Sequence, residues 1–375
     1  MERLLGFLEA DPANLPLLAD AANAALDEGR LDTADDLLAR YRALAALPPP
    51  LLNVEGLVAM RSGDRARARA AFEALRAAGH EHPAIRFNLA WLSALENDFA
   101  AVVELVDDAV VDAVPRAATL KVQALHHLGR LDEALELGQA LLARLPDDDT
   151  LLGALSVTAM DADDYDLAAK LAGRAKGGVD ALTTRGLVAL NEEDAARACA
   201  LFETALTQES NAPRAWIGMG LSLLVTGDVD RAAPCLERGA EIFGDHLGSW
   251  IAAGWAQFIR RDLAAARRNF ETALRHDDNF AETHGALAVL DLAEGDIEAA
   301  KRRTEIALRL DKSSFGPALA KMILLQMDGK PELAERIRDR ALNLPAGVNG
   351  KTLAQAIAGF GLTRNGNDGR GRPLR

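Results

Sequence analysis

Residues 213–226 read PRAWIGMGLSLLVT, residues 247–260 read LGSWIAAGWAQFIR, and residues 281–294 read AETHGALAVLDLAE. Set one above another, they state a single pattern three times. Trp216 and Gly220 are answered by Trp250 and Gly254, and Gly220 and Gly254 again by Ala288, each 34 residues on. The pattern runs past these stretches: Gly227-Asp228 and Ala232, then Asp262, Ala266, Phe270 and Ala273, then Gly295-Asp296, Ala300 and Ala307. A fixed period of 20–50 residues marks a repeat architecture, in which each unit buries itself against its neighbours and not in one central core.

Working outward, the units start near residues 15, 49, 83, 115, 149, 179, 213, 247, 281 and 315, and seven of the nine steps are 34 residues. The steps before Pro115 and near Gly177-Gly178 are shorter. Each unit carries two amphipathic stretches with i, i+3, i+4 apolar spacing around a turn at its fifteenth position. Six units place Gly there (Gly29, Gly63, Gly129, Gly227, Gly295, Gly329), which suits a helix end turning through positive φ. Asp follows in seven units, where its carboxylate can hold free amides at the next helix start. The eighth position is small in eight of ten units, and the twentieth is Ala in nine, with Val102 the exception. A larger side chain at such a crossing overpacks it, at about 1–3 kcal/mol. Phe72, Phe202 and Phe270 supply bulk at the twenty-fourth position.

These residues resemble the tetratricopeptide repeat family, whose Trp, Leu-Gly, aromatic, Ala, Phe, Ala, Pro pattern is matched best by Trp216/Gly220/Ala232, Trp250/Gly254/Ala266/Phe270/Ala273 and Gly186/Ala198/Phe202/Ala205. The resemblance implies an all-α fold, a right-handed α-solenoid of about ten helix-turn-helix units over residues 15–345. Unit three departs at Val102, and unit four puts Lys121-Val122 where Leu-Gly is expected. An N-terminal capping helix is expected within 1–14, a C-terminal one within 346–360, and a disordered basic tail over 361–375.

Composition narrows the function. Aromatics make up only 5%, and the net charge is −14, split as −22 through residue 300 and +8 beyond it. An acidic body does not grip phosphates, so nucleic acid is not an expected partner. Cys199 and Cys235 are the only cysteines and read as apolar fillers of a reducing compartment. No apolar run approaches the length of a membrane span, and Glu9 and Asp11 cut short any signal-peptide core. The expectation is a cytoplasmic chain with no membrane insertion.

The sequence presents no catalytic constellation, metal site or cofactor motif. Gly350-Lys351-Thr352 has Pro345 where a phosphate loop needs its first Gly, and no strand precedes it. His80/His82 and His126-His127 have no third ligand at metal spacing. The Asp147–Asp149 and Asp161–Asp166 clusters lack the ordered Gly and closing Glu of a calcium loop. The chain is therefore expected not to be an enzyme.

The family resemblance implies that positions two, five, nine and twelve of each first helix line a concave groove. Here they include Phe87 and Trp91, Ile217, Leu221 and Leu224, Ile251, Trp255 and Phe258, and Val289 and Leu292. Val157, Met160, Leu187, Leu190, Leu319 and Ile323 fall at the same positions. The Lys, Arg and Asn set that clamps a terminal carboxylate in many family members is missing. The expected function is a non-catalytic scaffold or chaperone-like adaptor, binding a peptide or amphipathic helix of another protein in an apolar groove centred on Trp255 and Phe258. The alternatives are a self-assembling structural repeat protein and a nucleotide-dependent enzyme or switch at Gly350-Lys351-Thr352. The chain's own Leu353–Phe360 stretch is a further candidate occupant of the groove.

Overall fold

The computed structural model describes residues 1–342; among them are twenty-two helices and no strand. A lone helix, α1 (Glu2–Ala10), precedes ten helix pairs. The first three pairs are α2 (Leu15–Asp27) with α3 (Leu31–Leu44), α4 (Pro49–Ser62) with α5 (Arg65–Ala77), and α6 (Pro83–Leu95) with α7 (Phe99–Leu105). An extra short helix, α8 (Asp108–Ala113), follows the third. Then come α9 (Ala117–His127) with α10 (Leu131–Leu142), α11 (Asp149–Asp161) with α12 (Tyr165–Arg174), and α13 (Val179–Asn191) with α14 (Ala195–Gln208). The last four are α15 (Pro213–Thr226) with α16 (Val229–Phe243), α17 (Leu247–Ile259) with α18 (Leu263–His276), α19 (Ala281–Glu294) with α20 (Ile297–Leu310), and α21 (Phe315–Met327) with α22 (Pro331–Leu342). Within each of the two compact units most consecutive helices pack on one another, as in an α-solenoid. The chain divides into two compact units, Met1–Thr158 and the residues from Ala159 onward. The C-terminal helix expected within 346–360, the tail 361–375 and Gly350-Lys351-Thr352 lie outside the described residues.

The turns follow from single residues. All ten fifteenth positions have φ between 61° and 88°: the six glycines, and also Asn97, Asp163, Glu193 and Arg261. The geometry of the turn is therefore imposed by the pair, and four units accept it without Gly. One residue later, Asp64, Asp98, Asp164, Asp194, Asp228, Asp262 and Asp296 each accept a hydrogen bond from the backbone N–H three residues on. These caps satisfy amides that have no partner within the helix.

The crossings are set by size. The nine Ala at position twenty, and Val102 with them, are fully buried. Gly56, Gly186 and Gly254 face Phe72, Phe202 and Phe270, and a Cβ at these glycines would come within 2.6, 2.6 and 2.3 Å of the ring. All three rings are fully buried, so each pair is a Gly-to-Phe contact closed on every side.

The third pair is irregular. Its second helix stops after seven residues, and Asp107 restarts the chain by capping α8 at Val110 N–H, 3.0 Å away. Arg86, at the position held by Trp216 and Trp250, donates to Asp107 at 2.6 Å, and Lys121 Nζ donates to the freed Val106 carbonyl at 2.7 Å. Pro115 and Arg116 stand in the turn ahead of α9, so the fourth first helix begins at Ala117.

Candidate functional site: an apolar trough on the first helices

In the second unit the first helices of successive pairs share one face, and that face is tightest between α19 and α21. Gly285 makes this possible: a Cβ there would lie 2.2 Å from Pro317 N and 2.4 Å from Gly316 C. Glu282 fastens the crossing, its two carboxylate oxygens accepting from Gly316 N–H at 3.1 and 2.9 Å. Burial pushes the Glu282 carboxyl above its usual range, against the lowering effect of those backbone bonds.

Above this crossing lies a short trough. Its floor is the buried Ala288, Val289 and Ala320; Trp255 and Phe258 pack against it from α17, and Leu319 and Ile323 from α21. All four wall residues are half-buried. The Trp255 and Phe258 rings meet edge to face at 5.6 Å, and Trp255 also meets the buried Phe270 edge-on at 5.4 Å. The indole is thus held on one side by the core and open on the other. One helical turn beyond Trp255 and Ile323 come Ile259 and Met327, exposed by 56% and 55%. No charged side chain stands among these six. Together they form an array of apolar side chains left partly open to solvent.

Of the residues expected in the groove, Ile217, Leu221, Leu224, Trp255, Phe258 and Leu292 are half-buried. Three expectations are corrected. Ile251, Val289 and Phe87 are 7%, 4% and 3% exposed and belong to the core. Ile251 packs with Phe270 and Leu287, and Val289 is the trough floor. Phe87 is covered by the Arg116 guanidinium, 4.6 Å above its ring. Met160 is buried as well. Ile217, Leu221 and Leu224 pack against Ala233, Leu236, Ala253 and Ala256, a cluster distinct from that of Trp255. Trp91 belongs to the first unit, 43% exposed, its ring tilted against Phe87 at 6.4 Å. Ile259 and Met327 occupy position thirteen, which the sequence reading did not count; their i, i+4 spacing from Trp255 and Ile323 was the signal available.

Burial pushes the Cys199 and Cys235 thiols up, which disfavours the thiolate. Among the described residues no three His, Cys, Asp or Glu side chains are grouped to hold a metal ion. A polar cavity of about 440 Å³ lies beside α5, α6 and α7, where α7 stops short. Its guanidiniums are already engaged: Arg69 with Glu96 at 2.7 Å, Arg76 with Glu81 at 3.8 Å, Arg86 with Asp107 at 2.6 Å. No described helix is long and apolar enough to cross a membrane.

With this geometry in place, comparison with known proteins gives the repeats their family. The tetratricopeptide repeat profile matches residues 53–118, 100–149 and 183–245, so it falls in both compact units. Residues 53–149 and 183–245 match tetratricopeptide repeats. No curated protein matches it. Among solved structures it is similar to MamA from Desulfovibrio magneticus RS-1, at 19% identity and a TM-score of 0.39, over 45% of this chain and 97% of that one. It is similar to PilF of Pseudomonas aeruginosa at 16% and 0.46, over 55% and 96%. It is also similar to a chain of the APC/C hetero-tetramer Cut9–Hcn1 at 13% and 0.48, over 96% and 92%. At such identities nothing about partners passes from those proteins to this one. Tetratricopeptide repeats are, in general, protein-interaction scaffolds.

Proposed function

We propose that this tetratricopeptide-repeat chain is a non-catalytic adaptor that holds an amphipathic helix of a partner protein in the trough between Trp255/Phe258 and Leu319/Ile323. The observation that carries the reading is the trough itself: four large apolar side chains, half-buried over a floor of Ala288, Val289 and Ala320. An apolar groove without charged clamps favours a helix, which satisfies its own backbone hydrogen bonds and offers one apolar face. Aromatic anchors at the centre of such a contact carry a large share of the binding energy, truncation costing about 2 kcal/mol or more.

Trp250 provides the control. Its indole N–H donates to the Gly244 carbonyl at 2.6 Å, so it serves the turn. Affinity capture from the native cell with the wild-type chain, Trp255→Ala and Trp250→Ala is expected to lose the partner with Trp255→Ala alone. Thermal melting is expected to suffer more from Trp250→Ala. Equal loss of capture in the two variants would sink the reading.

A further inference from the structure

The polar cavity of about 440 Å³ beside α5, α6 and α7 lies in the first compact unit and has no part in the trough reading. We propose that it binds a small zwitterion, an α-amino acid with an apolar side chain. Arg86 and Ser93 hold its carboxylate, and Glu104 and Glu73 its ammonium.

The cavity is a product of the irregular third pair. α7 has seven residues where α14, α18 and α20 have fourteen, and open space is left beside α6. Arg86, Leu89 and Ser93 fall at i, i+3 and i+7, one face of α6, and all three line that space. Its volume suits a small molecule, whose sites run to about 300–1,000 Å³.

Donors gather on this face. The buried Thr158, Ser222 and Thr304 each turn the hydroxyl back on a carbonyl of their own helix. Ser93 is fully buried and does not: its Oγ accepts from Arg69 Nη2 at 3.2 Å, and its own proton has no acceptor among the described residues. Arg86 spends only Nη1, on Asp107, so Nε and Nη2 of its five-donor fork remain. A ligand carboxylate can accept from both residues, and the guanidinium fork matches its two oxygens.

Acceptors stand on the walls. Glu104, on α7, is exposed and has no cation partner among the described residues. Glu73, on α5, has only Arg69 at 3.7 Å, and Arg69 is held more closely by Glu96 at 2.7 Å. Leu89, Ala101 and Leu105 supply the apolar surface.

Charge selects the ligand class. Three lining carboxylates, with those bonded to Arg69 and Arg86, outnumber the three guanidiniums. That excess repels a plain anion, and a plain cation would meet the Ser93 proton and the unspent Arg86 donors. One group of each sign answers both.

The test is calorimetry of the full chain with L-alanine, L-valine, L-leucine, L-methionine and L-phenylalanine. Two half-ligands accompany them: leucinamide, which lacks the carboxylate, and isocaproate, which lacks the ammonium. At least one amino acid is expected to bind saturably, and at least tenfold more tightly than either half-ligand. No saturable heat from any amino acid, or a half-ligand that binds as well, would overturn the proposal. Glu104→Gln removes no ion pair of the fold and is expected to weaken the amino acid at least tenfold with circular dichroism unchanged. Unchanged affinity in that variant also overturns the site. Trp255→Ala is expected to leave the affinity as it is; a loss there would move the ligand to the trough. Failure of the zwitterion site leaves the trough reading standing.

Discussion

His284 makes, 34 residues later, the bond that Trp250 makes in the preceding repeat. Trp250 Nε1 donates to the carbonyl of Gly244, six residues back, at 2.6 Å; His284 Nε2 donates to the carbonyl of Asp278, also six back, at 2.7 Å. Trp216 does the same with Ser210 at 2.8 Å. The fourth position of these repeats is thus a ring whose N–H closes the loop before its own helix. Because a carbonyl only accepts, the bond fixes the proton of His284 on Nε2. Nδ1 is then left as a buried acceptor with no partner among the described residues.

The equivalence makes a paired prediction. Trp250→Phe and His284→Phe each keep an apolar ring and remove the N–H, leaving a loop carbonyl unpaired at a cost of about 1–3 kcal/mol. Denaturant melts should show the larger loss at Trp250→Phe, because His284→Phe also removes the buried, unpartnered Nδ1 and leaves the carbonyl of the exposed Asp278 open to water. A loss at Trp250 with none at His284 would show that the histidine bond contributes nothing.

The four left-handed turns without Gly predict easy stabilisation. Glu193 and Arg261 both sit at φ 65°, where an L side chain costs about 1–2 kcal/mol and glycine does not. After the entropy that glycine adds to the unfolded chain, Glu193→Gly and Arg261→Gly should each gain about 0.5–1 kcal/mol. Gly227→Ala and Gly295→Ala, at φ 84° and 88°, should lose about 1 kcal/mol by the same balance. Chemical denaturation of the four variants checks both signs.

That contrast also explains what was legible in the sequence. Position twenty needs Ala and position fifteen tolerates positive φ because a local contact demands it, and local demands repeat with the period. Whether an apolar first-helix residue is floor or wall has no such signature. Val289 and Trp255 share position nine, yet Val289 is buried while Trp255 stays half open. The difference comes from how closely α21 approaches α19, set by Gly285 against Pro317, a contact that no periodicity foretells. Phe87 is buried for a similar reason. Its cover is Arg116, in the irregular stretch after α8 where the 34-residue register slips.

Glycines inside helices divide into two kinds, and substitution should separate them. Gly254→Ala drives a methyl against Phe270, 2.3 Å from the nearest ring atom, and the fully buried ring has nowhere to swing. The expected loss is about 1–3 kcal/mol. Gly173, in α12, has nothing within 4 Å of its missing Cβ. Gly173→Ala should gain about 0.5–1 kcal/mol through helix propensity. A thermal shift of the same sign for both would contradict the Gly-to-Phe packing described above.

The last prediction concerns acid. His246 caps α17: its Nδ1 accepts from Ser249 N–H at 3.2 Å and lies 2.6 Å from Ser249 Oγ, while Phe243 packs at 5.0 Å from its ring. Burial pushes the His246 pKa below its ordinary 6.5, and the Arg214 guanidinium lowers it further. A depressed folded value means that the native state prefers the neutral ring. The unfolded chain therefore takes up this proton first as pH falls. The contribution is complete above pH 6.5 and is lost as pH drops through the folded value, when protonation removes the acceptor that caps the helix. His246→Asn keeps a capping oxygen and does not titrate. Measured between pH 8 and pH 5, the wild-type Tm should fall relative to that of His246→Asn as the solution is acidified. Parallel curves would show that His246 plays no part in the acid response.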